Sequence, residues 1–270
     1  MEQLICGMEK PVIAMIHVDA LPGTPRNTKS IQQIMDKALR EAELYLKEGI
    51  HILMLENMHD IPYLKGSVGP EITASMAVVG AAVKKEFQVP CGIQILAGAN
   101  REALACAHSA GLDFIRAEGF VFGHIADEGY MDSCAGELLR YRKQIGAEKI
   151  KIFTDIKKKH SSHVVTADIS LVETASAAEF FLSDGLIVTG QATGQEANKE
   201  EIMQIRKASS LPVLVGSGVT IDNLHEFLPL VDGMIVGSAF KDEGLWSQPV
   251  NPDRVRLFME KYRQLEKKTI

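Results

Sequence analysis

Only four cysteines stand among the 270 residues, and no two are spaced Cys-x-x-Cys. That excludes a disulfide framework and the common zinc and redox motifs. Cys6, Cys91, Cys106 and Cys134 read as free thiols of a reducing compartment, buried by default. No apolar run is long enough to span a membrane, and no basic stretch leads into an apolar one as in a secretory signal. Excess positive charge is missing too: 29 Lys and Arg against 35 Asp and Glu give a net charge of −6. With no basic run longer than Lys157-Lys158-Lys159, a nucleic-acid surface is not expected. Lys267-Lys268 closes a helix end, where cations suit the dipole. Linkers and low-complexity blocks are also lacking. The expectation is one domain over residues 1–270, soluble and cytoplasmic, with no nucleic-acid partner and no membrane insertion.

What is present is alternation. Short, continuous apolar runs occur at Val12–His17, Ile50–Glu56, Cys91–Leu96, Phe114–Glu118, Ile150–Lys157, Leu186–Thr189, Val213–Val215 and Met234–Val236. Continuous rather than alternating hydrophobicity marks parallel strands buried on both faces. Between them lie segments of helical period such as Ile31–Lys47, Glu71–Phe87, Ala135–Ile145 and Glu200–Ala208. Eight strand–helix repeats in a chain of this length predict an α/β fold, the (β/α)8 TIM barrel. Gly49, Gly111, Gly185 and Gly233 each precede a strand, as helix C-caps or tight turns would.

In such a barrel, chemistry gathers at the C-terminal ends of the strands. The seventh and eighth runs both end in Gly-Ser, as Gly216-Ser217-Gly218 and Gly237-Ser238. Glycine brings bare N–H groups close to a ligand, and a helix start at Thr220–Asn223 would add donors, so these five residues are the expected phosphate cradle. On the fifth strand, period two puts Asp155 and Lys157 on one face. Together they suit acid–base work, an oxyanion anchor or a Schiff base, while Lys158 reads as solvated charge. Glu56 suits a general base, or with Asn57 a Mg²⁺ ligand, and His17 ends the first strand; Asp155, Lys157, Glu56 and His17 are thus the catalytic candidates. Gln94, Arg116, Glu118, Lys159, His160, Thr189, Gly190 and Thr193 join Asn57 as further ligand-binding candidates. The loop running to about Asp132, with Asp127-Glu128-Gly129, has the length of a lid. His160-Ser-Ser-His163 has metal-ligand spacing only if helical.

These residues resemble the BtpA/SgcQ family over nearly the whole chain. The resemblance is carried by Met15-Ile-His-Val-Asp-Ala-Leu-Pro-Gly-Thr-Pro25, Glu56-Asn57, Phe114-Ile-Arg116, Leu139-Arg-Tyr-Arg142, Asp155-Ile-Lys-Lys-Lys-His160, Leu186–Gly194, Val213–Thr220 and Asn251-Pro252. It implies a barrel like those that bind ribulose-phosphate-type ligands. One member of the family is linked to photosystem I biogenesis, and others sit among sugar-uptake genes. The chain departs from the family pattern at Ala97-Gly-Ala-Asn100 and Glu118-Gly-Phe120.

The leading expectation is an enzyme acting on a small phosphorylated sugar or sugar-like carbonyl compound, of isomerase, aldolase or lyase type, passing through an enediolate or imine. The alternative is a non-catalytic ligand-binding or assembly factor. The third is a metal-dependent hydrolase, in which His17, Glu56 and Asp155 would have to converge. A small phosphorylated ligand is the expected partner; Mg²⁺ and a homo-oligomer are left open.

Overall fold

The structure, a computed structural model, describes residues 4–190 and 194–269. Eight parallel strands close into a barrel: β1 (Val12–His17), β2 (Ile52–Glu56), β3 (Cys91–Gln94), β4 (Phe114–Ala117), β5 (Lys151–Ile156), β6 (Gly185–Val188), β7 (Val213–Val215) and β8 (Gly233–Val236). They pair in sequence order, and β8 closes on β1 through Ile235 opposite Ile13. Helices α1 (Ile31–Lys47), α2 (Pro70–Phe87), α3 (Asn100–Ala110), α4 (Ala135–Gln144), α5 (Leu171–Phe180), α6 (Lys199–Ala208), α7 (Leu224–Phe227) and α8 (Pro252–Thr269) follow the strands in turn. Local chemistry sets their starts: Ser30 with Gln33 and Ser170 with Glu173 form capping boxes at α1 and α5.

Period two divides each strand's side chains. One set packs outward against the helices in a large apolar layer containing Val12, Ala14, Leu53 and Leu55. The other fills the barrel: Ile13, Met15, Ile52, Met54, Phe114, Phe153, Ile187, Leu214 and Ile235. Phe114 and Phe153 meet edge to face at 5.5 Å. Their rings fit because the neighbouring strands offer glycine. A Cβ on Gly92 would lie 2.1 Å from the Phe114 ring, and one on Gly185 2.4 Å from Phe153. Gly185 and Gly233 therefore differ from the expected turn glycines, since both lie inside strands. Gly111 does cap α3 in the left-handed region.

The same inward face, followed one step up each strand, stops being apolar. Ile13, Met15 lead to His17; Ile52, Met54 to Glu56; Gly92 to Gln94; Phe114 to Arg116; Phe153 to Asp155; Ile187 to Thr189. The core thus carries polar side chains at the barrel mouth, all of them buried.

The loop after β4 forms a hairpin, His124–Ala126 with Gly129–Met131, and Ser161–Ser162 adds a third strand to it. His163 follows that strand with its Nε2 on the Lys158 carbonyl at 3.0 Å. The His160–His163 spacing is therefore not helical. Among the described residues, no helix is long and apolar enough to cross a membrane.

Candidate active site

At the end of β1, His17 sits 3.0 Å from the Trp246 carbonyl through Nδ1. A carbonyl only accepts, so Nδ1 carries the proton and Nε2 is a bare acceptor. That Nε2 lies 3.7 Å from Glu56 Oε2. Burial, with the Lys241 charge behind it, pushes the His17 pKa well down and keeps the ring neutral. Burial raises the Glu56 pKa, opposed by the cations of Arg116 and Lys159. Neutral histidine and reluctant carboxylate side by side make a pair able to pass a proton.

Arg116 on β4 clasps Asp155 on β5 by two bonds, Nε to Oδ2 at 3.0 Å and Nη2 to Oδ1 at 2.8 Å. Glu118 is pinned through its main chain by Asn100, whose Nδ2 donates to its carbonyl at 2.6 Å. Its carboxylate accepts from Gln94 Nε2 and Lys158 Nζ, each at 3.1 Å. Lys158 is therefore buried and paired, not the solvated charge expected. Lys159 lines the cavity beside Glu56 and Arg116, and its ammonium meets no ion-pair partner among the described residues. Burial first, and the Arg116 cation second, lower its pKa.

Lys157 is corrected. The strand ends at Ile156, and Lys157 turns left-handed with φ 50°. The period-two extrapolation breaks there, and the side chain leaves Asp155 to donate to the Ile169 carbonyl. His160, also left-handed, stands exposed at the cavity rim. Asn57 is spent on architecture: Oδ1 accepts from Leu96 N at 2.7 Å and Nδ2 donates to Asp60. It is thus a loop clamp rather than a ligand contact. Thr189 Oγ1 is buried with no partner among the described residues, and Thr193 lies outside them.

Around the seventh and eighth strand ends, a cavity is lined by the Gly216–Thr220 and Gly237–Ala239 turns. The glycines are required by contact. A Cβ on Gly216 would come within 2.5 Å of Ile187, and one on Gly218, at φ 73°, within 2.2 Å of the Gln195 carbonyl. A Cβ on Gly237 would press the His17 ring at 3.3 Å. Among the described residues, no carbonyl takes the N–H groups of Gly218, Val219, Ser238 or Ala239. Ser217 departs from expectation: its hydroxyl accepts from Gly190 N at 2.8 Å and donates to the Gln195 carbonyl. It ties two loops together, and Gly190 is its partner there. The helix expected behind Gly218 is also short, four residues in α7, because Thr220 and Asn223 bond each other as a turn.

Residue-by-residue reading of the strands missed Arg254. It lines this cavity from the first turn of α8 and donates through Nε to the Ala239 carbonyl at 2.8 Å. A cation in a helix's first turn opposes the dipole, and that was its signal. The single tryptophan, Trp246, was missed as well.

A second cavity opens on the other side of Glu56, Met58, Arg116 and Lys159, which wall both. Asp127 and Glu128, at the hairpin turn, reach into it. No three His, Cys, Asp or Glu side chains among the described residues could jointly hold a metal ion. The convergence of His17, Glu56 and Asp155 that a metal hydrolase needs is therefore absent, since Asp155 is clasped by Arg116.

The fold has counterparts among solved structures. Phosphoribosyl anthranilate isomerase from Thermus thermophilus superposes with a TM-score of 0.57 at 14% identity, covering 94% of this chain and 99% of that one. In sequence, an uncharacterised mitochondrial protein of Caenorhabditis elegans is 50% identical over 95% of this chain and 94% of its own length. The photosystem I biogenesis protein BtpA of Synechocystis is 30% identical over 93% of this chain and 87% of its own. A family model described as the BtpA family matches residues 8–264, and with these relatives it establishes that the chain belongs to the BtpA family.

Proposed function

We propose that this barrel is an enzyme acting on a small phosphorylated carbonyl compound. The phosphate rests on the N–H groups of Gly218, Val219, Ser238 and Ala239, with Arg254 as its cation. The carbonyl carbon lies against the wall that the two cavities share. The observation that carries the reading is Lys159, a half-buried ammonium with no ion-pair partner among the described residues. It shares one cavity with a neutral histidine, a reluctant carboxylate and turn N–H groups that no carbonyl among those residues takes.

A lysine disfavoured as a cation is a nucleophile. Its nitrogen adds to the carbonyl carbon, water leaves, and the resulting imine withdraws electrons from the neighbouring carbon. His17 Nε2 or Glu56 takes the proton from that carbon and returns it at the next step. Isomerisation follows this path. In cleavage the same base takes the proton of the hydroxyl one carbon further on, the carbon–carbon bond breaks and its electron pair passes into the imine. Aldolase, lyase and isomerase chemistry thus share one enamine and one site. The barrel of the Thermus isomerase, named for a phosphoribosyl compound, supports the assignment by analogy of fold alone.

The test is borohydride trapping. Incubated with dihydroxyacetone phosphate or ribose 5-phosphate and then reduced, the protein should gain the mass of the reduced adduct on Lys159. Adducts spread over surface lysines, or none with any phosphorylated carbonyl, would overturn the reading.

A second reading, an assembly factor, is favoured by the exposed Phe180, Phe181 and Leu182, which are 81%, 45% and 67% accessible. Apolar side chains in such a cluster mark contact surfaces. That surface follows α5 and leads into the start of β6, at the barrel end away from the site. Measuring mass in solution for wild type and Phe180→Ser tests whether it joins copies of this chain.

A further inference from the structure

A phosphate and a carbonyl leave the second cavity without an occupant. Its apolar side is Tyr63, Leu96 and Trp246, and its polar side includes Gln94, Asp127 and Glu128. Gln94 is 2% exposed, and its amide has one possible orientation. Nε2 faces Glu118 Oε1, an oxygen that only accepts. Glu118's other oxygen is already held by Lys158. Gln94 Oε1 therefore points away, is buried, and meets no donor among the described residues. Glu128 Oε2 is in the same condition. Buried acceptors are normally satisfied, so two such atoms on residues that line one cavity call for a donor from outside the chain.

Formal charge points the same way. Arg116 is committed to Asp155 and Lys158 to Glu118. Glu56, Asp127 and Glu128 then share the cavity with Lys159.

We propose that this cavity receives the far end of the substrate, and that this end carries a protonated or N–H-bearing nitrogen, so that the substrate is a phosphorylated amino compound. This rests on the phosphate reading above and names the substrate class for it. An ammonium or amidinium offers only donors and carries the missing charge. A hydroxyl also brings acceptor lone pairs, and of the cations here Arg116 and Lys158 are already paired, while Lys159 is taken up by the carbonyl in the reading above. A second carboxylate or phosphate would face Asp127 and Glu128. The aromatic side chains of Tyr63 and Trp246 in the lining suit a cation better than an anion. Because Glu56, Met58, Arg116 and Lys159 wall both cavities, one ligand can place its phosphate in the first and its nitrogen, remote from the phosphate, in the second.

Calorimetric titration with inorganic phosphate, glucose 6-phosphate and glucosamine 6-phosphate tests this. The two sugar phosphates differ by a hydroxyl or an amine, far from the phosphate. Glucosamine 6-phosphate should bind about tenfold tighter or more, the worth of one charge-assisted hydrogen bond. Glu128→Gln should shrink that ratio, and Gln94→Leu should abolish it. Gln94→Leu also unloads Glu118, so the Glu128→Gln ratio decides if that variant fails to fold. If glucosamine 6-phosphate gains nothing over glucose 6-phosphate while inorganic phosphate binds, the nitrogen pocket is overturned and the cradle stands. If inorganic phosphate does not bind either, the cradle fails and this inference with it.

Discussion

Replacing Asp155 by Asn isolates the Arg116–Asp155 clasp, because the change removes charge and one acceptor but little volume. Both side chains are almost inaccessible, 4% for Arg116 and 1% for Asp155. Their two bonds, at 2.8 and 3.0 Å, are both charge-assisted. Breaking a buried pair while leaving one partner ionised costs about 3–5 kcal/mol. Arg116 does remain ionised, because Glu56 and Glu118 also favour its charged form. Against a total stability of roughly 5–15 kcal/mol, that loss is a large share. At about 2–4 °C per kcal/mol for a chain near this size, the melting midpoint should fall by roughly 6–20 °C. Urea unfolding, read by both circular dichroism and tryptophan fluorescence, measures it. The double variant Arg116→Met/Asp155→Leu should recover most of the loss, since an apolar pair needs no desolvation. A loss below about 1 kcal/mol in Asp155→Asn would refute the reasoning, as would a double variant no better than the sum of its singles. The recovered double variant should still bind phosphorylated ligands poorly, because Arg116 lines both cavities.

Gly92→Ala should destabilise by about 1–3 kcal/mol, because its Cβ would overlap the Phe114 ring, and Phe114→Leu in the same chain should restore part of that; equal stabilities would contradict the packing. His124 is buried, and burial first, then Lys158, lower its pKa to about 4. Its unfolded form takes up a proton near pH 6.5, so its contribution is whole above that value and fades as the pH falls to about 4. Each such group contributes at most about 1.4 kcal/mol per pH unit. His124→Gln should flatten the stability–pH curve in that window, and an unchanged slope would count against a neutral buried ring. Lys157→Met should leave borohydride trapping intact while Lys159→Met removes it; the reverse pattern would return the amine to the strand's extrapolated position.

Much of the site was legible because a strand's period continues past its apolar part. His17, Glu56, Arg116, Asp155 and Thr189 each stand two residues beyond an inward core side chain, and Gln94 two beyond the inward Gly92, so the core pattern reaches them directly. That logic ends where the strand does. Nothing in Asp155-Ile-Lys-Lys-Lys announces that the backbone turns left-handed at Lys157, and one such residue moves the inward position to Lys159. Ser217 and Asn57 were misread for a different reason. Their residue types suit a ligand, but their hydroxyl and amide are consumed by loops that meet only in three dimensions. The short α7 has a similar origin, since Thr220 and Asn223 satisfy one another locally instead of capping a long helix.

The central claim is that the two Gly-Ser turns hold a phosphate. It is tested most directly by the thermal shift of wild type, Ser238→Asp and Arg254→Ala with inorganic phosphate and ribose 5-phosphate. At a hundredfold excess over Kd, binding should stabilise wild type by about 2.7 kcal/mol. The added carboxylate at Ser238 should abolish the shift, and loss of the Arg254 cation should weaken it. No shift in wild type, or the same shift in all three proteins, would contradict the account.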